Sequence, residues 1–467
     1  MGTLKSPHST SQNWTDCLPV CKNTGIGFST NQIYREDGNP QEEHGYEDCS
    51  CHFKFNESFY WYSVFDGHEG KMAADFCCQR MTAEIYFSKL LDKSGNIVDK
   101  SDEEVKEFLS QAFATVEEGY MQSIADLLAE RTSLICDIPN GLSQYEAYKK
   151  VPHIVQSINK LNDELSSGTA AAVALIYDKK LYVANVGNCR VLLCQTDPNS
   201  VLKVVQLSVD HDLKNEDELL RLSHLGINAE NLRKSSRLGN QENTRCLGNY
   251  SVKGGYKDYE DLSSALQEPI TAQPDIHGGI TLDESSRFLL LMSAGLYKSI
   301  AEATGTDQVN KYIAQCVVDQ FREQATLTGV AQAVVDKAVR LHHDWYMSNS
   351  LNNSCSPKRE DITLVLRNFN FPLPNAITTP TTPSVTFNPI VAENTISSRS
   401  STMKSDVVSS TSTTVKTSDS SSTRDSDEGD DPVDPDQKIE AYVDFSDFYS
   451  NFNKAKKDGT LPKGLDL

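Results

Sequence analysis

Residues 64–70 read VFDGHEG, which places Asp66 and His68 directly behind an apolar run. A carboxylate at the end of a buried strand can hold a hard metal ion through oxygen, and a nearby imidazole can move a proton. Asp-Gly is equally a plain turn signal, so the pair says little alone. A second stretch, residues 288–298, reads FLLLMSAGLYK. Its apolar run is short enough for a buried strand. Ser293-Ala294-Gly295, small residues where the chain is expected to turn, follow at an edge where sandwich and α/β enzymes often present a carboxylate. Ala294 brings no chemistry there, so the strand either ends plainly or lacks a functional side chain.

The sulfur chemistry is easier to decide. Of the 12 cysteines, Cys17/Cys21, Cys49/Cys51 and Cys77/Cys78 come in close pairs. Their spacings do not form paired C-x-x-C knuckles, which argues against zinc. In a reducing compartment they pack as small hydrophobes. A formal charge of −21 argues against nucleic acid and against an electrostatic hold on anionic membranes. No apolar stretch is long enough to span a bilayer, and the first residues lack the apolar core of a signal peptide, so a cytoplasmic protein is expected. Met1-Gly2 with Ser6 formally fits an N-myristoylation pattern, but one acyl chain gives only marginal attachment.

The elements that must position Asp66 and Ala294 follow from periodicity. FYWYSVF (59–65) is strand-like and ends in a turn at Asp66-Gly67. Residues 69–91 and 102–130 keep apolar faces at helical spacing. TAAAVALIY (169–177), KLYVANV (180–186) and RVLLC (190–194) read as three strands of a meander. Asn215 with Glu218 has the spacing of a capping box, and residues 327–346 carry another helical apolar stripe. RFLLLM and ITLVLRNF read as buried strands. Strands in groups, with helices also grouped, make the fold class α+β.

Beyond Phe371 the composition shifts to Ser, Thr, Pro and Asp with hardly an aromatic, which cannot bury a core. Residues 371–437 are therefore expected to be a disordered linker, in which Thr379-Pro380 and Thr382-Pro383 are candidate phosphorylation sites. Aromatics then return. Phe445, Tyr449 and Phe452 recur at helical spacing with Phe448 beside them, and the lysines that follow suit a helix C-terminus. An aromatic helix over 438–454 at the end of a long tether, with a short tail at 455–467, reads as a ligand for a partner's groove. Docking back onto its own globular part is the alternative.

Several segments in order carry a family resemblance: YEDCS, VFDGHEG, SSGTAAAVALI, VANVGNCRVLLC, LSVDHDLKNEDELLRLSHLG, TRCLGN, FLLLMSAGLYK and REDITLVLRN. The set resembles the metal-dependent type 2C (PPM) protein serine/threonine phosphatases over nearly all of residues 25–370, implying a domain of about 15–370. The resemblance implies a four-layer β-sandwich flanked by helices. In that family two Mg²⁺ or Mn²⁺ ions activate a bridging water. By resemblance Asp66 bridges both ions with help from the Gly67 carbonyl, Glu47 serves one and Asp361 the other, and His68 is placed as general acid.

The departures point away from catalysis. Ala294 stands where active members carry a metal-ligand Asp, and a methyl group cannot coordinate a hard cation. Gly187-Asn188-Cys189-Arg190 replaces Gly-Asp-Ser-Arg, and Glu43 falls where a phosphate-gripping Arg is expected. A carboxylate there would repel phosphate by up to a few kcal/mol at an effective dielectric of about 20. The pattern, above all the terminal YVDFSDFY, is similar to a noncatalytic branch that binds and activates the TGF-beta-activated MAP kinase kinase kinase. That branch implies a pseudophosphatase adaptor gripping the kinase through Tyr442, Val443, Phe445, Phe448, Tyr449 and Phe452, with Phe445 as principal anchor, and promoting autophosphorylation. It further implies an inhibitor-of-apoptosis ubiquitin ligase and a stress-activated MAP kinase as partners. The intact Asp66-Gly67-His68 leaves room for one Mg or Mn ion of structural value, though no cofactor is required. A weakly active Mn/Mg-dependent phosphatase is the rival reading.

Overall fold

The structure, a computed structural model, describes residues 21–373 except 36–38, 93–94, 140, 200, 236 and 350–357, together with residue 457. The chain divides into two units, Met1–Pro383 and Ser384–Leu467, and apart from residue 457 the described residues belong to the first. The aromatic stripe from Tyr442 to Phe452, the linker beyond residue 373 and Met1-Gly2 lie outside the described residues.

In chain order come β1 (Thr24–Ser29), β2 (Gln32–Tyr34), β3 (Pro40–Gln41), β4 (Cys49–Asn56), β5 (Phe59–His68), α1 (Met72–Tyr86), α2 (Asp102–Ser123), α3 (Ala125–Cys136), α4 (Gln144–Lys150) and α5 (Pro152–Leu165). Then follow β6 (Gly168–Tyr177), β7 (Lys180–Val186), β8 (Arg190–Thr196), β9 (Leu202–Gln206), α6 (Glu216–His224), α7 (Ala229–Lys234) and β10 (Leu247–Gly248). The last are β11 (Asp275–Thr281), β12 (Ser286–Met292), α8 (Ala294–Thr304), α9 (Val309–Glu323), α10 (Leu327–Asn349), β13 (Lys358–Arg359) and β14 (Ile362–Asn368).

Two antiparallel sheets dominate. One runs β1-β14-β12-β8-β9; the other runs β11-β7-β6-β5-β4, with β10 paired to β6. Period-two alternation sends successive residues of a strand to opposite faces. Val191, Leu193, Leu289 and Leu291 accordingly meet Tyr62, Val64 and Val183 between the sheets. Leu192, Cys194, Leu290 and Met292 face α8, α9 and α10 instead. Trp61, Phe65, Val173 and Leu175 face α1 and α2. Both faces of each central strand are covered, which is why these strands read as unbroken apolar runs rather than alternating ones. The result is four layers, helix–sheet–sheet–helix, as the resemblance implies.

Local readings changed in three places. β6 and β7 form a hairpin, but β8 pairs with β12 and β9 in the other sheet, so the expected meander of three strands is a hairpin plus a crossing. Gly187, at φ +80°, makes that crossing; a β-carbon there would stand 2.5 Å from the Ala170 side chain. The helix read over 102–130 is interrupted at Ile124, a buried residue between α2 and α3. Asn215 does cap α6, accepting the Asp217 N–H, but Glu218 turns inward rather than back to the cap. Every described cysteine is free, and no described helix is long and apolar enough to cross a membrane.

Candidate functional site

One cleft of about 540 Å³ opens where the C-terminal ends of β5 and β12 meet the start of β14. It brings together Glu47, Asp66, Gly67, His68, Ala294 and Asp361, along with Asn188, Arg237, Glu242, Lys298 and Glu360. Glu43 does not line it; its carboxylate pairs with Lys358 at the rim, 2.5 Å away.

Asp66-Gly67-His68 do not form the expected turn. They are the last three residues of β5, paired opposite Ala170, Thr169 and Gly168. The chain turns one step later, at Glu69 and Gly70, both with positive φ. Extended backbone therefore carries Asp66 and His68 to the same edge, held by the full ladder to β6. Gly67 is required for packing, since a β-carbon would stand 2.4 Å from the Glu47 carbonyl oxygen. Ser293-Ala294-Gly295 likewise do not turn. Ser293 is the N-cap residue of α8, and Ala294 begins its first turn. Gly295 lets that turn approach β14: a β-carbon would lie 2.0 Å from the Asp361 carbonyl oxygen.

The hydrogen bonds show what each carboxylate does. The Ala294 N–H donates to Asp66 Oδ2 at 2.7 Å. Asp361 Oδ1 accepts from the Asn31 N–H at 2.6 Å and from Asn31 Nδ2 at 2.9 Å, while Oδ2 accepts the Glu47 N–H at 2.9 Å. Asp361 is thus a structural acceptor tying the start of β14 to the segment before β4. Glu47 Oε1 accepts the Gly70 N–H at 3.1 Å and lies 3.3 Å from His44 Nδ1. Behind them Asp48 is buried, its Oδ2 accepting from Thr363 Oγ1 at 2.6 Å. Asn188 Oδ1 accepts from Asn243 Nδ2, and Arg190 beside it binds Asp210 and stacks over Tyr297.

Charge in this cleft is costly. Burial, then repulsion from Glu360, push Asp66 up to about 7, with the Ala294 amide and Lys298 pulling the other way. Burial raises Asp48 well above the carboxylate range, Asp66 adding to it, and burial also raises Glu47. Burial drops His68 to about 4, so it stands neutral, near Asn249 Nδ2 at 3.4 Å.

These residues do not fit a resident pair of divalent ions. Hard ions need several free carboxylate oxygens converging on one point. Here both oxygens of Asp361 accept from N–H groups, Asp66 Oδ2 accepts the Ala294 N–H, the Ala294 methyl offers no oxygen, and Lys298 brings an ammonium into the cluster. Among the described residues no three His, Cys, Asp or Glu side chains group so as to hold a metal ion.

Reading the sequence missed Lys298, Glu360, Glu242 and Asn31. Lys298 Nζ lies 2.9 Å from Glu242 Oε2 and 3.1 Å from Glu360 Oε1. Its signal was available, because Lys298 sits four residues beyond Ala294, one helical turn on the same face. Taking residues 293–295 as a turn rather than a helix start concealed it.

The family model "Protein phosphatase 2C" matches residues 140–342. The chain is 26% identical over 353 residues to "TGF-beta-activated kinase 1 and MAP3K7-binding protein 1" of Caenorhabditis elegans, covering 75% of this chain and 82% of that one. It is 28% identical over 259 residues to "Probable protein phosphatase 2C 2" of Paramecium tetraurelia, covering 56% and 70%. Among solved structures, the serine-threonine phosphatase 2C of Toxoplasma gondii is similar at 17% identity, covering 76% of this chain and 98% of that one with a TM-score of 0.45. Over that matched segment, less than half of its length, the chain is similar to the protein phosphatase 2C family.

Proposed function

We propose that this protein is a noncatalytic adaptor that binds a MAP kinase kinase kinase of the TGF-beta-activated class and promotes its autophosphorylation. One observation carries the noncatalytic half: the residue whose backbone N–H meets Asp66, Ala294, has a methyl side chain that cannot ligate a hard cation. The kinase-binding half is supported by the similarity to the Caenorhabditis elegans protein named for that activity. The grip on the kinase is assigned to residues 438–454, where Phe445, Phe448, Tyr449 and Phe452 supply the aromatic area that dominates helix-in-groove contacts. Binding would raise activity by selecting an active arrangement of the kinase domain. The Ser/Thr-rich linker would raise the effective concentration of anything the globular unit also holds. In the same reading, an inhibitor-of-apoptosis ubiquitin ligase on that unit and a stress-activated MAP kinase on the linker are the further partners.

Phe445→Ala in the full chain tests this reading. Truncating a principal aromatic anchor costs about 2 kcal/mol or more, a loss of affinity of about 30-fold. Titration of the purified kinase against both proteins should show that drop, together with loss of stimulated autophosphorylation. Equal affinity for the two proteins contradicts the assignment.

A further inference from the structure

Active clefts of this architecture hold their carboxylates together with divalent cations, and this cleft must manage without the ligands for them. Asp66, Glu242, Glu360 and Asp361 all line it. Like charges at such range repel strongly when water is partly excluded. We propose that the Lys298 ammonium is the resident cation of the cleft, holding Glu242 and Glu360 together and excluding Mg²⁺ and Mn²⁺.

The placement is specific. Lys298 comes from the second turn of α8, one turn beyond Ala294, and its side chain is only 29% exposed. It reaches Glu242 Oε2 at 2.9 Å on the loop before β10, and Glu360 Oε1 and Oε2 at 3.1 and 3.2 Å on the turn before β14. One ammonium thereby joins three elements of the cleft wall. Burial alone would depress it, but Glu360 and then Glu242 outweigh that and hold it above the ordinary lysine range, so it keeps its charge. A divalent ion entering beside Asp66 would meet this fixed charge, would compete for Glu360, and would find the Asp361 oxygens already accepting amides. The inference stands apart from how the chain meets a kinase.

Calorimetric titration of the full chain with MnCl₂ tests it. The wild type should show no binding heat into the millimolar range. Lys298→Gln and Lys298→Met should each gain a Mn²⁺ site about tenfold tighter or more, because the repelling charge is gone and Glu360 and Glu242 are released. Lys298→Arg should stay refractory, and Glu360→Gln on the Lys298→Gln background should weaken the new site again. Amide resonances of Gly67 and Ala294 give a readout that needs no variant: Mn²⁺ should leave them unbroadened in the wild type. Broadening there, or wild-type binding as tight as that of Lys298→Gln, overturns the proposal. Failure of both folded neutral variants to gain a site overturns it as well.

Discussion

Glu218→Ala is expected to lower the stability of the globular unit by about 3 kcal/mol at neutral pH, the cost of taking a buried carboxylate away from two partly buried arginines. Glu218 is 1% exposed. Its Oε1 accepts from Arg245 Nε at 3.0 Å and Nη2 at 2.5 Å, and its Oε2 accepts from Arg221 Nη2 at 2.9 Å and Thr244 Oγ1 at 2.6 Å. Arg245 is pinned on its far side by the Gln273 carbonyl at 3.0 Å, so it cannot swing to water without breaking a second contact. Burial alone would raise Glu218, but Arg245, Thr244 and Arg221 outweigh it and hold the carboxyl at about 2. A depressed acid contributes its stability above its unfolded pKa, near 4.5, and loses it as the pH falls toward 2. The difference between wild type and Glu218→Ala should therefore be full at pH 7 and shrink below about pH 4. Urea denaturation at pH 7 and at pH 3.5 measures both values. Residues 240–243, just before this cluster, line the cleft, so the substitution should also loosen the cleft wall.

Asp66→Asn is expected to do the opposite and stabilise the protein at alkaline pH. Asp66 is raised from about 3.8 to about 7, so the folded state binds more protons than the unfolded state between those values. Stability contributed by this group is present below pH 4 and is lost as the pH rises through 7. At pH 8 the whole penalty is in force, on the order of 4 kcal/mol by the size of the shift. An asparagine keeps an oxygen for the Ala294 amide and removes the charge. The gain from Asp66→Asn should thus be largest near pH 8 and fade toward pH 4. His68, held at about 4, titrates in the same window with the opposite sign, but it is present in both proteins and cancels in the comparison. A cleft stabilised by bound cations would give the reverse, a loss on Asp66→Asn that grows with added Mn²⁺. Thermal melts across pH 4–8 separate the two.

The sandwich was largely legible because its strands are buried on both faces. Runs such as the one from Phe288 to Met292 fit strands covered on both faces, and their order carried the family resemblance. The crossing of β8 to the second sheet was not legible, since the Gly187-Asn188 turn signal fits a hairpin and a crossing equally well. Glu218 shows a second limit. Its spacing from Asn215 fits a capping box, and only the arginines brought in from Arg221 and Arg245 make burial the better place for its charge. At the cleft, Asp66 and Ala294 could be singled out from the ends of apolar runs. Asn31 could not, because it lies 330 positions from Asp361, whose carboxylate it occupies. Lys298 fell between these cases: helical spacing would have linked it to Ala294 once the strand was seen to run straight into a helix.

The central claim is that this cleft is braced by its own side chains and does not catalyse. Its most direct test is Mn²⁺-dependent hydrolysis of a phosphothreonine peptide by the full-length protein, with Asp66→Ala as the paired control. The account predicts phosphate release no faster than in the control at any Mn²⁺ concentration. Release that rises with Mn²⁺ and vanishes in Asp66→Ala would contradict it and would make the protein a working phosphatase.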